Sequence, residues 1–211
     1  QALKGILNWK EISRRYSDLA VITIQFLHTA VKKEFEKKHG KVIKGESAII
    51  SLGKVGGNEM TPTSDLDLIF VYRYKENTKL SDTAMSLNPS LYFTRLSQRF
   101  INSITAQTNE GELYSVDMRL RPSGNSGPIA THFRTFVQYH SQKSWTWEHM
   151  ALSRARVISG SRQLKKDVKT VIQETLVKVR DVNVLKKDVS DMREKIQKAN
   201  NTNIIWDVKY I

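Results

Sequence analysis

The chain has 211 residues, 39% hydrophobic and 9% aromatic with only four prolines, which is enough for one substantial core and excludes a disordered tail. It has no cysteine, so disulfides, thiolate zinc sites and cysteine nucleophiles are excluded, and a reducing compartment fits. Thirty-four Lys and Arg against 21 Asp and Glu give a formal charge of +13, which favours polyanionic partners, although Lys32, Lys33, Lys37, Lys38, Lys165, Lys166, Lys186 and Lys187 read equally as solvated helix faces.

From Ile12 to His39, the residues Ile12, Tyr16, Leu19, Thr23, Phe26, Ala30 and Phe35 recur at helical spacing and Gly40 stops the pattern, which predicts an amphipathic entry helix. Glu46–Leu52 is a short apolar run of the buried-strand kind, followed by a glycine-rich loop. Leu66–Tyr74 is rich in β-formers and reads as a central strand. Asn88–Ala106 places Leu91, Phe93, Leu96, Phe100, Ile101 and Ile104 at helical spacing, and Leu113–Leu120 alternates as another strand.

Pro122, Gly124, Gly127 and Pro128 make a loop, and everything from His132 to about Lys198 reads as helical. Leu164, Val168, Val171, Thr175 and Val179, then Leu185, Val189, Met192 and Ile196, form two stripes suited to facing each other in an antiparallel hairpin. Asn203–Ile211 is extended in pattern. The expectation is an α+β fold, a mixed β-sheet flanked by helices over residues 1–130 and an α-helical subdomain over 131–211, truncated at its carboxy end. The start at Gln1 rather than Met points to an excised fragment. No stretch reaches the roughly 20 apolar residues that span a bilayer and no signal peptide is visible, so a soluble cytoplasmic protein is expected.

The chemistry concentrates in Gly53–Phe70, GKVGGNEMTPTSDLDLIF. Side chains alternate along a strand, so Asp65 and Asp67 share one face while Leu66, Leu68 and Phe70 take the other. Two carboxylates that close repel unless a cation neutralises them, and Mg²⁺ takes one or two carboxylates plus substrate phosphates. In the later strand Asp117 lies between apolar residues; beside the first strand it would complete a triad able to hold metal and accept a proton from an attacking hydroxyl. Arg119 and Arg121 then face phosphates or developing charge. Gly56 and Gly57 allow a triphosphate close to the backbone, with the Ser64 hydroxyl as a further donor. Taken singly, each feature has a plainer reading: a solvated Asp pair, a surface ion pair, a turn. Their joint order, strand, Gly-Gly, Asp-apolar-Asp strand, helix, apolar-Asp-apolar strand, favours a site.

Other residues are weaker candidates. His132, His140 and His149 are not spaced as ligands on adjacent helical turns. Trp145, Trp147 and Met150 read as core or interdomain packing, and Glu148 with Arg154 or Arg156 as a structural ion pair. No groove of basic and aromatic residues for nucleic acid is visible.

The order of glycines and aspartates resembles the DNA polymerase β-like nucleotidyltransferase superfamily. The wording GKVGGNEMTPTSDLDLIFVY, LYFTRLSQRFINSIT, GELYSVDMRLRPSGNSGPIAT and SWTWEHMALSRARVISG is similar, across nearly the whole chain, to glutamine synthetase adenylyltransferase. That resemblance implies AMP transfer from ATP to a tyrosine of glutamine synthetase with Mg²⁺, or Mn²⁺ in its place, held by Asp65, Asp67 and Asp117, and Gly56 and Gly57 as the nucleotide loop. The family carries a second domain that removes AMP by phosphorolysis; the RLRPSG and WTWEHMALSRARV stretches and the MREK run resemble the adenylylating, carboxy-terminal copy. In the family, glutamine and the PII signal protein regulate the enzyme, a control expected to be lost without the other half. The rival readings are the phosphorolytic, AMP-removing activity and a non-enzymatic nucleic-acid-binding module; nucleic acid and membrane are not expected as partners.

Overall fold

In the computed structural model, which describes residues 8–178 and 180–199, the chain opens with α1 (Trp9–His39), continues through β1 (Glu46–Ser51), a one-turn α2 (Gly53–Gly57) and β2 (Leu66–Arg73), and reaches α3 (Pro89–Ile104). Two-residue strands β3 (Gln107–Thr108) and β4 (Gly111–Glu112) form a small hairpin before β5 (Val116–Asp117). Then follow β6 (Ala130–His132), α4 (Phe133–Gln142), α5 (Thr146–Leu152), β7 (Arg156–Gly160), α6 (Arg162–Leu176) and α7 (Val182–Ala199). The segment 203–211, extended in sequence pattern, lies outside the described residues. Among the described residues, no helix is long and apolar enough to cross a membrane.

The fold is α+β, as expected. β2 is the centre of a mixed sheet: β1 runs antiparallel along one edge, and the other edge is shared end to end by β5, paired with Leu66 and Asp67, and β6, paired with Phe70 to Tyr72, both parallel to it. β7 adds antiparallel to the far side of β1. The alternation of β2 explains its place. Leu66, Leu68, Phe70 and Tyr72 pack under α1 and α3 with Ile24, Phe93, Leu96 and Phe100, while Ile69 and Val71 pack on the other face with Phe136, Leu152, Leu164 and Val168. A strand buried on both faces reads as a continuous apolar run, and Asp67 is the polar interruption in it.

Three expectations about elements change. Residues 132–198 are not all helical: Arg156–Gly160 is a strand, and β6 begins before α4, so the sheet draws strands from both sides of residue 130. α6 does not face α7 in a hairpin; its buried row Leu164, Val168 and Ile172 lies on the sheet, and α7 packs beside α5. Val179 and the side chain of Ile196, counted in those stripes, fall outside the description. On α1 the buried row is Ser13, Ser17, Ala20, Ile24, His28 and Val31, shifted from the apolar stripe, so that Leu19 and Phe26 are 56% and 70% exposed.

Small residues let α1 lie close to the sheet, and two of its buried polar side chains are partnered: the Ser17 hydroxyl donates to the Ser13 carbonyl at 2.9 Å, and His28 bridges the hydroxyls of Ser47 and Ser159 at 2.9 and 2.8 Å. The helix starts at Asn8, whose side chain accepts from the Glu11 amide at 2.9 Å while Glu11 accepts from the Asn8 amide. It ends at Gly40 with φ 70°, a conformation open to glycine.

Burial, with the Lys32 charge adding to it, pushes His28 down to about 4. A base whose folded pKa lies below its unfolded value contributes stability that is complete above about pH 6.5 and lost as pH falls toward 4. Urea titrations should therefore show a decline of up to about 3 kcal/mol from this residue between pH 7 and 4. His28→Leu should flatten that slope; an unchanged slope would place the acid sensitivity elsewhere.

Candidate active site

The end of β2 where the chain enters it carries the acidic residues. Asp67 and Asp117 are direct partners in the parallel pairing of β2 with β5, so their Cα atoms sit across one inter-strand spacing of about 4.8 Å. Asp65, one residue outside β2, is exposed but close enough for its charge to act on Asp67. Partial burial first, then Asp65 and Asp117, push the Asp67 carboxyl up to about 6, against a smaller downward pull from Arg119. Asp117 goes the other way. Burial pushes it up, but hydrogen bonds from the Arg119 side chain and amide and the charges of Arg119 and Arg121 hold it below the usual carboxylate range.

Arg119 donates through Nε at 2.8 Å and through its amide at 2.7 Å to the two Asp117 oxygens, with Nη2 2.6 Å away. This bond from amide to carboxylate is also why the strand expected over Leu113–Leu120 lasts only two residues: Asp117 captures the amide two positions on and the chain turns. Arg121 lies farther along, its Nη1 on the Met118 carbonyl at 2.7 Å and its Nε on the Gly127 carbonyl at 3.2 Å, where it holds the loop of Pro122–Pro128 together.

The glycine loop is a helical turn, α2, closed by Asn58 at φ 60°. Gly53, not singled out from the sequence, has φ 51°, and a Cβ there would stand 1.9 Å from Oδ2 of Asp67. Asp67 thus occupies space that any other residue at 53 would fill. A Cβ on Gly56 would meet the Arg154 carbonyl at 2.0 Å, and one on Gly57 the Arg154 guanidinium at 2.3 Å. Ser64 sits in a tight turn, its Oγ 2.9 Å from the Thr61 amide and 2.8 Å from the Thr61 hydroxyl.

Two further residues shape the site. Arg154 donates through Nε to the Gly53 carbonyl at 3.1 Å and pairs with Glu59; Arg156 donates to the Val55 carbonyl at 2.6 Å. Together they clamp α2 from β7 and the turn that precedes it. The sequence reading paired these arginines with Glu148, but Glu148 accepts from the Tyr139 hydroxyl and the Trp145 amide, both at 2.8 Å. Trp145 is exposed at the surface. The three histidines lie apart: His132 against Tyr72 and Tyr74, His140 buried against Phe136, His149 between Ser144 and Arg180.

As the side chains stand, no three His, Asp or Glu groups among the described residues converge as a metal site, and Asp117 is turned onto Arg119. The donor set still suits Mg²⁺: two acidic neighbours in register, one of them partly desolvated and raised in pKa by the others, with oxygen ligands only.

A mixed sheet whose central strand opens on Asp-Leu-Asp, beside a glycine turn and with a third aspartate on the adjoining strand, has the architecture of a nucleotidyltransferase. The family model described as glutamate-ammonia ligase adenylyltransferase matches residues 1–171. Curated relatives carry the name bifunctional glutamine synthetase adenylyltransferase/adenylyl-removing enzyme: that of Mesorhizobium japonicum is 43% identical over 209 residues, that of Rhizobium meliloti 43% over 209, and that of Rhodopseudomonas palustris (strain BisB5) 39% over 208, each alignment covering 99% of this chain and 21% of the relative. The chain belongs to this adenylyltransferase family and spans about a fifth of the length of the curated relatives it matches.

An acid whose folded pKa is raised contributes stability only at low pH, here lost as pH climbs from 3.8 through about 6. In EDTA at pH 7.5, Asp67→Asn should therefore melt higher than the parent. About 1 kcal/mol, after allowing for solvent screening, corresponds to roughly 2–4 °C. At pH 4 the difference should shrink, and a lower melting temperature at pH 7.5 would mean that Asp67 is not electrostatically strained.

Proposed function

We propose that this chain transfers AMP from ATP to a tyrosine hydroxyl of glutamine synthetase, releasing pyrophosphate, with Asp65, Asp67 and Asp117 as the acidic residues of the site. The observation that carries the reading is the registered pair Asp67 and Asp117 at one strand end, with the Asp67 carboxyl pushed up by burial and by its neighbours. The substrate and the protein target rest on the names of the relatives, bifunctional enzymes that act on glutamine synthetase.

In this reading Asp65, Asp67 and Asp117 hold Mg²⁺, or Mn²⁺ in its place, which when bound neutralises the acidic cluster and polarises the α-phosphate. Asp67 and Asp117 supply the oxygen ligands that seat the reaction. Arg119, exposed and already paired with Asp117, is the cation placed to meet a phosphate, and drawing it away leaves Asp117 free to accept the proton of the attacking hydroxyl. Gly56 and Gly57, with Ser64, form the phosphate cradle, and Arg121 supports the loop behind it. The adenylylating direction rests on the resemblance of the RLRPSG and WTWEHMALSRARV stretches; regulation by the PII protein is assigned to the longer enzyme.

The 211-residue chain, incubated with ATP, Mg²⁺ and unmodified glutamine synthetase, should incorporate AMP, read by mass. Asp67→Asn and Asp117→Asn should each lower the rate by at least about 10²-fold with the circular dichroism spectrum unchanged. Normal incorporation by Asp67→Asn would sink the assignment. ADP formation from AMP-modified synthetase and phosphate, with no forward transfer, would assign the removing direction instead.

A further inference from the structure

The other end of the sheet holds a basic cavity that the acidic site does not explain. It has a volume of about 720 Å³ and lies between α1, the end of β7 and the start of α6. Lys32 and Lys33 of α1, Lys41 after it and Lys165 of α6 line it, with Glu36 as the one acidic residue among its lining residues. The single ion pair in the set is Lys32 with Glu36, at 3.8 Å; the side-chain ammonium groups of Lys33, Lys41 and Lys165 have no partner among the described residues.

The walls are built rather than incidental. The Gln25 side chain donates to the Ile158 carbonyl at 2.7 Å, and His28 joins Ser47 to Ser159, which fixes α1 against β1 and β7 beneath the lysines. Ser161 caps α6 by accepting from the Leu164 amide at 3.2 Å and also bonds Glu46. Four lysines from α1, the segment after it and α6 therefore line one concavity on a fixed frame. Like charges so placed are mutually unfavourable, and a concave wall of low dielectric strengthens their field. A compact multivalent anion relieves both, and the volume is in the range of small-ligand sites.

We propose that this cavity binds a chain of two or three phosphates, free or carried by a nucleoside, at a site separate from the acidic one. The two lie at opposite ends of β1, Ser47 at the cavity and Ser51 next to the turn that holds Asp67, roughly 13 Å apart at the rise of a strand. An extended acidic peptide is the weaker fit, because the lysines that line the cavity come from α1, the segment after it and α6 rather than along one element.

Isothermal titration of the 211-residue chain in EDTA, with inorganic tripolyphosphate and with ATP as probes, tests this. One saturable site is expected, weakened about 10-fold or more in the double variant Lys33→Glu/Lys165→Glu and changed by no more than about twofold in Asp67→Asn. Binding of both probes identifies the phosphates as sufficient; binding of ATP alone adds the nucleoside, and either supports the site. Binding of neither probe, an unchanged affinity in the lysine variant, loss of binding in Asp67→Asn, or displacement of tripolyphosphate by hexaglutamate at equal charge would overturn it. None of these outcomes depends on AMP transfer, so the failure of this site and the failure of the catalytic reading are separately visible.

Discussion

The structure turns on one close approach: the carboxylate of Asp67 lies against the backbone of Gly53, where no Cβ fits, while Asp117 stands beside it on the next strand. The central strands and the turn before β7 support that contact. β2 is buried on both faces, so the polar residue at its end is held on a rigid element. The parallel pairing of only two residues of β5 is enough to bring in Asp117. The glycine turn that closes over Asp67 is clamped from behind by Arg154 and Arg156, which bond the carbonyls of Gly53 and Val55.

The clamp explains why the sheet needs β7. Without that strand and the turn before it, the carbonyls of Gly53 and Val55 would lose their arginine donors, and the space that Gly56 leaves would not be filled by the Arg154 backbone. The glycines thus have a demonstrable packing role as well as the phosphate-binding role proposed for them. Arg119 ties the same centre electrostatically: it holds Asp117 below its ordinary range, while burial, Asp65 and Asp117 raise Asp67 against a smaller pull from Arg119, so the two neighbours shift in opposite directions.

Much of this was legible in the residues, and the exceptions have physical causes. β1, β2 and α3 announce themselves because long apolar runs and periods are local signals. The alternation around Asp67 gave its face, and the adjacency to Asp117 followed from the order of elements rather than from any local pattern. Arg156–Gly160 did not read as a strand because five residues flanked by helical patterns carry little period, and its place is set by pairing with β1, far away in the chain. The apolar stripe of α1 misled because small and hydroxyl residues form the buried row, and Leu19 and Phe26 stay outside. Gly53 and Arg154 were missed because their roles exist only in the folded chain, where Gly53 lies against the Asp67 carboxylate and Arg154 reaches the Gly53 carbonyl across 101 residues.

The central claim is that the Asp67 and Asp117 carboxylates form one cation-binding centre beside the glycine turn. Anomalous diffraction from crystals grown with Mn²⁺ and a non-hydrolysable ATP analogue measures it directly. The predicted result is a manganese peak bonded to oxygens of both Asp67 and Asp117, with the triphosphate against Gly56 and Gly57. A manganese peak away from these residues, or a triphosphate bound elsewhere with Asp117 still held by Arg119, would contradict it.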